Sequence, residues 1–232
     1  MNRRTLILSA LGLGVAGFGG AAWYATRPTA TASATGTTKA TAATQSAPSL
    51  SPEQTEALMR PYSPTFGPDD APVTIVEFLD PACEACRAFH PIVKDIMAEH
   101  GDAVHVVIRY TPFHGESSEQ AVRVLEAARM QGVYIEVMDA LFAQQSSWAS
   151  RGKPPEGKIM EIAGRAGLDV AAASTQIMMP DLVGILNQDK ADVETLNVRQ
   201  TPTFFVNGRP LDPFGEAELR RLVASEVAAA QS

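Results

Sequence analysis

The hydrophobic pattern beyond residue 70 predicts a strand, a helix and a second strand in succession. Val73 to Leu79 is apolar on both faces except at two positions, which is typical of a central buried strand. From Cys83 to about His100 the apolar residues keep helical spacing, and Gly101 is expected to end that helix. Ala103 to Arg109 predicts a second strand. This order implies two parallel strands joined by a right-handed crossover.

The following stretch predicts a block of helices and then a hairpin. Residues 116–197 almost entirely lack strand signals. The helices expected there span 116–131, 133–145, 156–166 and 181–196, with a polar loop at 146–157. Thr203 to Val206 predicts a third strand, and Asn207-Gly208 predicts a type I′ turn into a short antiparallel strand around Arg209 to Leu211. Glu216 to Ala230 predicts a terminal amphipathic helix.

The first 27 residues have the layout of a signal peptide or a membrane anchor. Arg3 and Arg4 precede an uncharged run of 19 residues, Leu6 to Tyr24, which is long enough to cross a membrane. The arginine pair resembles a twin-arginine signal, and a Sec-type signal or an uncleaved anchor is the alternative. In each case we expect an exported, periplasmic or otherwise extracytoplasmic domain, tethered to the inner membrane if residues 6–24 are retained.

A linker is expected between this segment and the globular domain. Ala, Thr and Ser make up 16 of the 21 residues from 28 to 48, and no apolar period is present. Ser51-Pro52-Glu53-Gln54 is a capping box with Pro at the first helical position, and it predicts a short helix that ends near Met59. The sequence thus predicts a signal or anchor over 1–27, a linker over 28–48 and a domain over 49–232 with a helical insertion at about 115–197.

Composition and charge narrow the possible functions. The chain of 232 residues carries 19 Lys and Arg against 26 Asp and Glu, a formal net charge of −7. The first 45 residues hold four bases and no acid, so the remainder has 15 basic against 26 acidic residues. Such an acidic domain lacks the basic surface of a nucleic-acid binder. With only two cysteines, the chain is neither a disulfide-rich scaffold nor a Cys-built zinc-finger array.

The candidate chemistry lies at Cys83-Glu84-Ala85-Cys86. A Cys-x-x-Cys that follows a buried strand and opens a helix places the first cysteine where unpaired N–H groups and the helix dipole stabilise a thiolate. Such a position lowers a cysteine pKa from about 8.5 into the range of roughly 3.5–7.5. The second cysteine, one turn later, is within disulfide reach and more shielded. We therefore interpret Cys83 as the exposed attacking thiol and Cys86 as the resolving thiol.

Other uses of the two cysteines remain as alternatives. A structural zinc site needs four ligands, and the chain has only two cysteines. His90 lies on the same helical face as Cys86, but helix packing explains its position more simply. Haem attachment would need His in place of Arg87. Copper(I) on the two thiolates and a purely structural disulfide stay open. No metal is expected.

Three segments make this sequence resemble the thioredoxin superfamily and, within it, the exported DsbA-like thiol–disulfide oxidoreductases. They are Val76 to Cys86, Asp139 to Phe142 and Thr201 to Gly208, and the resemblance covers about residues 65–230. It implies an α/β thioredoxin-like fold with an inserted helical block. It also implies that the Cys83–Cys86 disulfide is the only redox group, with no other cofactor, and that the partners are exported proteins with cysteines and a membrane redox partner.

The resemblance also implies roles for three further residues. Pro202 matches the cis-proline that faces the active-site disulfide, and Thr201 would then pair through its backbone with an extended substrate. Glu77 occupies the position of an acid beneath the second cysteine that assists proton transfer. A buried carboxyl there should have a raised pKa. His114, in the loop after the second strand, either approaches the site or is an ordinary solvated histidine.

The residues between the cysteines depart from the strongest oxidants of the family, which carry Pro-His. Here the pair is Glu84 and Ala85, so a donor to the thiolate is missing and a negative charge is added. Both changes should raise the pKa of Cys83 relative to the Pro-His type and make the disulfide less oxidising. Oxidase, isomerase and reductase all remain open, as does a non-catalytic thioredoxin-like binder such as a copper metallochaperone.

Overall fold

The computed structural model describes residues 50–150 and 153–232. The predicted signal or anchor and the linker therefore lie outside the described residues. Helices in the described part are α1 Pro52–Leu58, α2 Glu84–His100, α3 Glu116–Met130, α4 Tyr134–Ala143, α5 Gln145–Trp148, α6 Lys158–Arg165, α7 Val170–Gln176, α8 Pro180–Thr195 and α9 Glu216–Ala230. Strands are β1 Thr65–Phe66, β2 Val73–Leu79, β3 Val104–Tyr110, β4 Thr203–Val206 and β5 Arg209–Pro210.

The five strands form one mixed sheet in the order β1-β3-β2-β4-β5. The central strands β2 and β3 are parallel, as the strand–helix–strand order predicts, with Val73 opposite Val104. The other three pairs are antiparallel: β1 with β3, β4 with β2, and β5 with β4. Asn207 and Gly208 both have positive φ, of 48° and 76°, which is the backbone of the predicted type I′ turn. The α/β thioredoxin-like fold with an inserted helical block is thus confirmed.

Helix α2 begins directly after the first cysteine. The chain leaves β2 in an extended conformation and turns into the helix at Cys83. Cys83 is the N-cap residue, with φ −79° and ψ 126°. Gly101 ends the helix with a φ of 53°, and its N–H donates to the Met97 carbonyl. The buried stripe of the helix, which includes Cys86, Val93 and Ile96, packs into the main core.

Residues of β2 alternate between the two faces of the sheet and so divide the core. Ile75 and Leu79 belong to the larger cluster, which also contains Cys86 of α2 and buried residues of α9 and the helical block. Val76 and Phe78 belong to the smaller cluster, which contains buried residues of α1 and α8. Glu77 has the same parity as Ile75 and Leu79, so its side chain projects toward the face that α2 covers.

The helical block lies between β3 and β4, where the sequence predicts it, with two local differences. Part of the expected polar loop at 146–157 is helix α5, whose Trp148 is 1% exposed in the core and donates its indole N–H to the Leu141 carbonyl. The second difference is α7, which the pattern did not predict. Its Asp169 caps the backbone N–H groups of Ala171 and Ala172 at 2.9 and 3.1 Å.

A cluster of buried charged side chains connects α8 to the sheet on the face opposite α2. The fully buried guanidinium of Arg109 contacts Asp189 at 2.7 Å and Asp192 at 2.6 Å. Arg60, just after α1, also binds Asp192 at 2.7 Å. Each buried charge thus has an opposite partner, as burial away from water requires. In the described part of the chain no helix is both long and apolar enough to span a membrane.

Candidate active site

The two cysteines lie at the start of α2, directly beyond the carboxyl end of β2. The Cys83 N–H donates to the Asp80 carbonyl at 3.0 Å, which closes the turn between strand and helix. Both thiols are free. Cys86 is fully buried, and Cys83 is 8% exposed. Cys83 is therefore less exposed than the sequence suggested, because its Sγ lies 3.3 Å from the Thr201 carbonyl oxygen and the loop that carries Thr201 covers it.

The surroundings of Cys83 lower its pKa to about 5. The largest cause is a hydrogen bond from the Cys86 thiol, which stabilises the Cys83 thiolate. Burial acts in the opposite direction and is outweighed by donors from the Thr201 side chain and from the backbone N–H groups of Cys86 and Ala85. Those two amides belong to the first turn of α2, where N–H groups have no helical partner. A thiol that is largely ionised at neutral pH can act as a nucleophile.

The pKa of Cys86 is shifted in the opposite direction to that of Cys83. Burial raises its pKa well above the usual range, and the hydrogen bond that it gives to Cys83 and the nearby carboxylate of Glu77 raise it further. The Asp80 N–H at 3.4 Å from the Cys86 sulfur opposes this shift only partly. At neutral pH the pair therefore consists of one thiolate and one protonated thiol.

Glu77 is 2% exposed and lies in the middle of β2. Burial raises its pKa to about 8, and the charge of Cys83 contributes to the same shift. Its Oε1 has no hydrogen-bond partner among the described residues. The raised pKa agrees with the expectation from the sequence. It gives the site a buried carboxyl with a proton affinity close to that of an ordinary thiol.

The Thr201–Pro202 peptide bond is cis, as the resemblance implies. Thr201 is half-buried and Pro202 is buried, immediately before β4. β4 pairs with β2, and this pairing brings the loop against Cys83. The structure thus places Thr201 beside the Cys83 sulfur. Its side chain is one of the donors that lower the pKa of Cys83.

Asp80 is a site residue that the sequence patterns did not single out. Its side chain is fully buried and accepts five hydrogen bonds. Its Oδ1 accepts from the Ala82 N–H at 2.9 Å and the Ser118 hydroxyl at 2.6 Å. Its Oδ2 accepts from the Phe113 N–H, the His114 N–H and the His114 Nδ1 at 2.7, 3.1 and 2.7 Å. The residue joins the cysteine turn to the loop after β3 and to α3. No local pattern marks the partners in this loop and in α3, because they are 33–38 positions away.

Gln145 is a second residue missed at the sequence level. It lies in α5 and is 2% exposed. Its side-chain amide donates to the carbonyls of Pro81 and Cys83, both at 2.9 Å. These bonds hold the cysteine turn against the helical block, so that the position of Cys83 depends on the insertion as well as on the thioredoxin core.

A cleft of about 430 Å³ opens in front of Cys83. The residues that line it are Ala82, Cys83, Glu84, Ala85, Arg87, His114, Gln145, Ser146, Ala149 and Ser150. Glu84 and Ala85 are exposed there at the start of α2. His114 is held against this cleft by Asp80, so of the two alternatives for His114 the structure favours the approach to the site.

The candidate metal ligand His90 is engaged elsewhere. Its Nε2 lies 2.5 Å from Asp139, and Lys94 contacts the same carboxylate at 2.8 Å. Over residues 50–150 and 153–232, no group of three or more His, Cys, Asp or Glu is placed so that it could hold a metal ion.

Known proteins share this fold. The structure is similar to a thioredoxin-like oxidoreductase from Silicibacter pomeroyi, with 29% identity and a TM-score of 0.63 over 75% of this chain and 96% of that one. It also resembles BdbD from Bacillus subtilis, with 23% identity, a TM-score of 0.64 and coverage of 72% and 94%. The thiol-disulfide exchange protein alpha-DsbA2 from Wolbachia pipientis matches with 19% identity, a TM-score of 0.64 and coverage of 75% and 91%.

Curated relatives match over part of their length only. The Na(+)/H(+) antiporter NhaA of Herminiimonas arsenicoxydans is 31% identical over 145 residues, which are 62% of this chain and 22% of the antiporter. NhaA 3 of Salinispora tropica is 32% identical over 158 residues, 66% of this chain and 23% of that protein. The chain thus spans less than a quarter of the length of these relatives. The family described as Thioredoxin matches residues 60–225, and the chain belongs to this family.

Proposed function

We propose that this protein is a thiol–disulfide oxidoreductase that acts on exported proteins. The observation that carries the proposal is the placement of the two cysteines: Cys83 is the N-cap residue of α2 beside Thr201, and Cys86 is fully buried one turn later. In keeping with this placement, the pKa of Cys83 falls to about 5, and that of Cys86 rises. An attacking thiolate beside a protected, protonated thiol is the arrangement that thiol–disulfide exchange requires. The redox group is the Cys83–Cys86 pair itself, without a further cofactor.

In the reducing direction, the Cys83 thiolate attacks one sulfur of a substrate disulfide. A bond forms between Cys83 and that sulfur, and the other substrate sulfur leaves with the electron pair. Cys86 then loses its proton and attacks the Cys83 sulfur, which releases the second substrate thiolate and leaves the Cys83–Cys86 disulfide. Oxidation of a substrate dithiol is the reverse sequence.

Glu77 serves the Cys86 step in this proposal. Cys86 is fully buried, so its proton has to pass to a group inside the protein before the thiolate can attack. Glu77 is buried on the same side of the sheet, and its pKa of about 8 lies close to that of a thiol. A carboxyl with a raised pKa is a stronger proton acceptor than an ordinary carboxyl, so Glu77 can take the Cys86 proton when the mixed disulfide is resolved and return it in the reverse direction.

Thr201 and Pro202 form the substrate-binding edge. The loop lies against Cys83, with the Thr201 carbonyl 3.3 Å from its sulfur. An extended substrate segment that pairs with the Thr201 backbone would bring its own cysteine to Cys83.

The pKa of Cys83 also bears on redox direction. Its value of about 5 lies between the roughly 7 of thioredoxin and the roughly 3.5 of the strongest oxidant. Because a stabilised thiolate favours the reduced form, we propose a potential between about −270 and −120 mV.

A cysteine-variant series tests the function. The protein should catalyse the reduction of insulin by a dithiol, and Cys83→Ser should abolish turnover. Cys86→Ser should keep the first attack and accumulate mixed disulfides with substrate. Absence of turnover in the unmodified protein, together with tight and stoichiometric copper(I) binding to the reduced form, would instead support the metallochaperone alternative.

We further propose that the domain works outside the cytoplasm, reoxidised or reduced by a membrane partner. The predicted signal or anchor over residues 1–27 supports this location. We expect activity from a reporter that is fused after residue 48 and functions only outside the cytoplasm. Activity of a cytoplasm-dependent reporter at the same junction would contradict the location.

A further inference from the structure

His114 is fixed at one end by a buried carboxylate and partly open at the other. It lies in the loop between β3 and α3, and its Nδ1 is 2.7 Å from Oδ2 of Asp80. The same oxygen accepts the backbone N–H of His114 at 3.1 Å, so both the ring and the backbone are held by one residue. The Asp80 side chain is fully buried, whereas the His114 side chain is 31% exposed.

The bond to Asp80 determines which ring nitrogen is available. A carboxylate accepts hydrogen bonds, so Nδ1 carries the proton that it donates to Asp80. Nε2 is then the nitrogen at the open end of the ring, where a bound substrate group can exchange a proton with it. His114 lines the same cleft as Cys83. The charged side chains that line this cleft with it are Glu84 and Arg87 of α2, and behind the ring lies Asp80.

We propose that His114 is the proton donor and acceptor for the substrate sulfur in thiol–disulfide exchange. This inference rests on the proposed function and assigns to it a group that the exchange otherwise lacks. In the reducing direction the Cys83 thiolate bonds to one substrate sulfur, and the other sulfur departs with the bonding electrons. Protonated His114 gives its Nε2 proton to that sulfur, so a thiol leaves instead of a thiolate. In the oxidising direction neutral His114 takes the proton of the attacking substrate thiol.

The site then has two proton-transfer groups, one for Cys86 and one for the substrate. Glu77 is buried beneath the sheet-facing side of α2 and serves Cys86. His114 lines the cleft, is partly exposed and serves the substrate. Asp80 connects the two halves, since its backbone N–H contacts the Cys86 sulfur at 3.4 Å and its carboxylate holds the histidine. Asp80 is accordingly a positioning residue.

Substrate disulfides whose leaving thiols differ in acidity can distinguish proton donation by His114 from a role of His114 in binding. The test follows the first attack only, in a Cys86→Ser background where the reaction stops at the mixed disulfide. Two probes are used: glutathione disulfide, whose leaving thiol has an ordinary pKa of about 8.5, and an aromatic disulfide whose leaving thiol is already stable as an anion at neutral pH. The first leaving group gains from a proton donor and the second does not.

His114→Gln should slow the reaction with glutathione disulfide by about tenfold or more and leave the aromatic disulfide within about twofold. His114→Asn, which also keeps a donor for Asp80 and lacks a titratable group, should behave in the same way. His100→Gln is the matched control, because it makes the same substitution at the far end of α2 and outside the cleft. It should change neither rate.

Each outcome bears on the proposal. Equal slowing with both probes would show that His114 acts through substrate binding or through the Cys83 thiolate, and it would overturn the proton-transfer role. Unchanged rates with both probes would overturn it as well. The rate with the aromatic disulfide also reports whether the variants are folded and whether Cys83 is active. Lack of reaction of the unsubstituted His114 protein with both probes would overturn the proposed function itself.

Discussion

At the scale of single residues, Cys83 and Cys86 differ in what touches their sulfur atoms. The Cys86 thiol, the Thr201 side chain and two backbone amides lower the pKa of Cys83, whose sulfur also lies 3.3 Å from the Thr201 carbonyl oxygen. Cys86 is fully buried and lies near the Glu77 carboxylate. Identical side chains three positions apart therefore have pKa values on opposite sides of the usual range, and this difference assigns their order in the exchange.

Glu77→Gln should change both stability and exchange. The pKa of Glu77 is raised to about 8 on folding, so the folded state holds a proton that the unfolded state releases above about 4.5. Its contribution to stability is present in full below about 4.5 and is lost as the pH rises to about 8. We therefore expect Glu77→Gln to stabilise the reduced protein at neutral pH by up to about 3 kcal/mol, and to flatten its stability between those two values.

The same variant should slow the release of mixed disulfides by Cys86 and leave the attack by Cys83 mostly unchanged. Urea unfolding across the pH range measures the first effect, and rapid-quench trapping of the mixed disulfide measures the second. A pH dependence of stability identical to that of the unmodified protein would contradict the buried, protonated Glu77. Equal slowing of both exchange steps would contradict its role at Cys86.

Thr201, whose side chain contributes to the lowered pKa of Cys83, offers a matched test of its hydroxyl. Thr201→Val keeps the shape of the side chain and removes the donor, whereas Thr201→Ser keeps the hydroxyl. A hydrogen bond to a charged group contributes roughly 1.5–3 kcal/mol, so we expect the valine variant to raise the pKa of Cys83 by about one unit. The serine variant should stay close to the unmodified protein. Titration of thiolate absorbance compares the three proteins, and equal pKa values for the valine and serine variants would count against the donor.

At the scale of elements, the N-terminus of α2 contributes to the lowered pKa of Cys83. The amides of Ala85 and Cys86 point at Cys83 because the helix begins there, and Glu84 and Ala85 themselves are exposed. Substitution at these two positions changes the side chains in front of the thiolate without disturbing the core. Pro at the position of Glu84 fits the first residue of a helix, which has no N–H partner to lose.

Glu84→Pro combined with Ala85→His should lower the pKa of Cys83 below about 5 and make the disulfide more oxidising. The added imidazole supplies a donor to the thiolate, and the acidic side chain is removed. Each unit of pKa corresponds to about 30 mV in a two-electron couple. Equilibration of both proteins with glutathione buffers measures the difference. A potential unchanged or more reducing in the double variant would show that these positions do not set it.

Local sequence patterns identify the elements whose signals are local. β2 follows from a continuous apolar run, α2 from helical spacing ended by Gly101, and the hairpin from Asn207-Gly208. β1 has only two residues and forms because β3 offers it an antiparallel partner, so no periodicity marks it. α7 is seven residues long, and only the cap at Asp169 could have indicated it.

At the scale of the whole molecule, the features that escaped prediction are contacts between distant segments. In the sequence, Arg109 is simply the last residue of a predicted strand. In the structure its guanidinium is buried against two carboxylates of α8 that lie 80 and 83 positions away. Asp80 and Gln145 likewise reach the cysteine turn or its surroundings across long stretches of chain. The cysteines, Glu77 and Thr201-Pro202 were predictable because their motifs resemble a known family, whereas the side chains that hold them in place depend on packing of the helical block.

The central claim is that Cys83 is the activated thiolate and Cys86 the protected thiol. Thiolate absorbance of the reduced protein as a function of pH, with alkylation sites mapped at about pH 7, tests it most directly. We expect a single titration with a midpoint at about 5, no second one below about pH 9, and alkylation at Cys83 alone. A first midpoint near the ordinary thiol value of about 8.5, or alkylation at Cys86, would contradict the account.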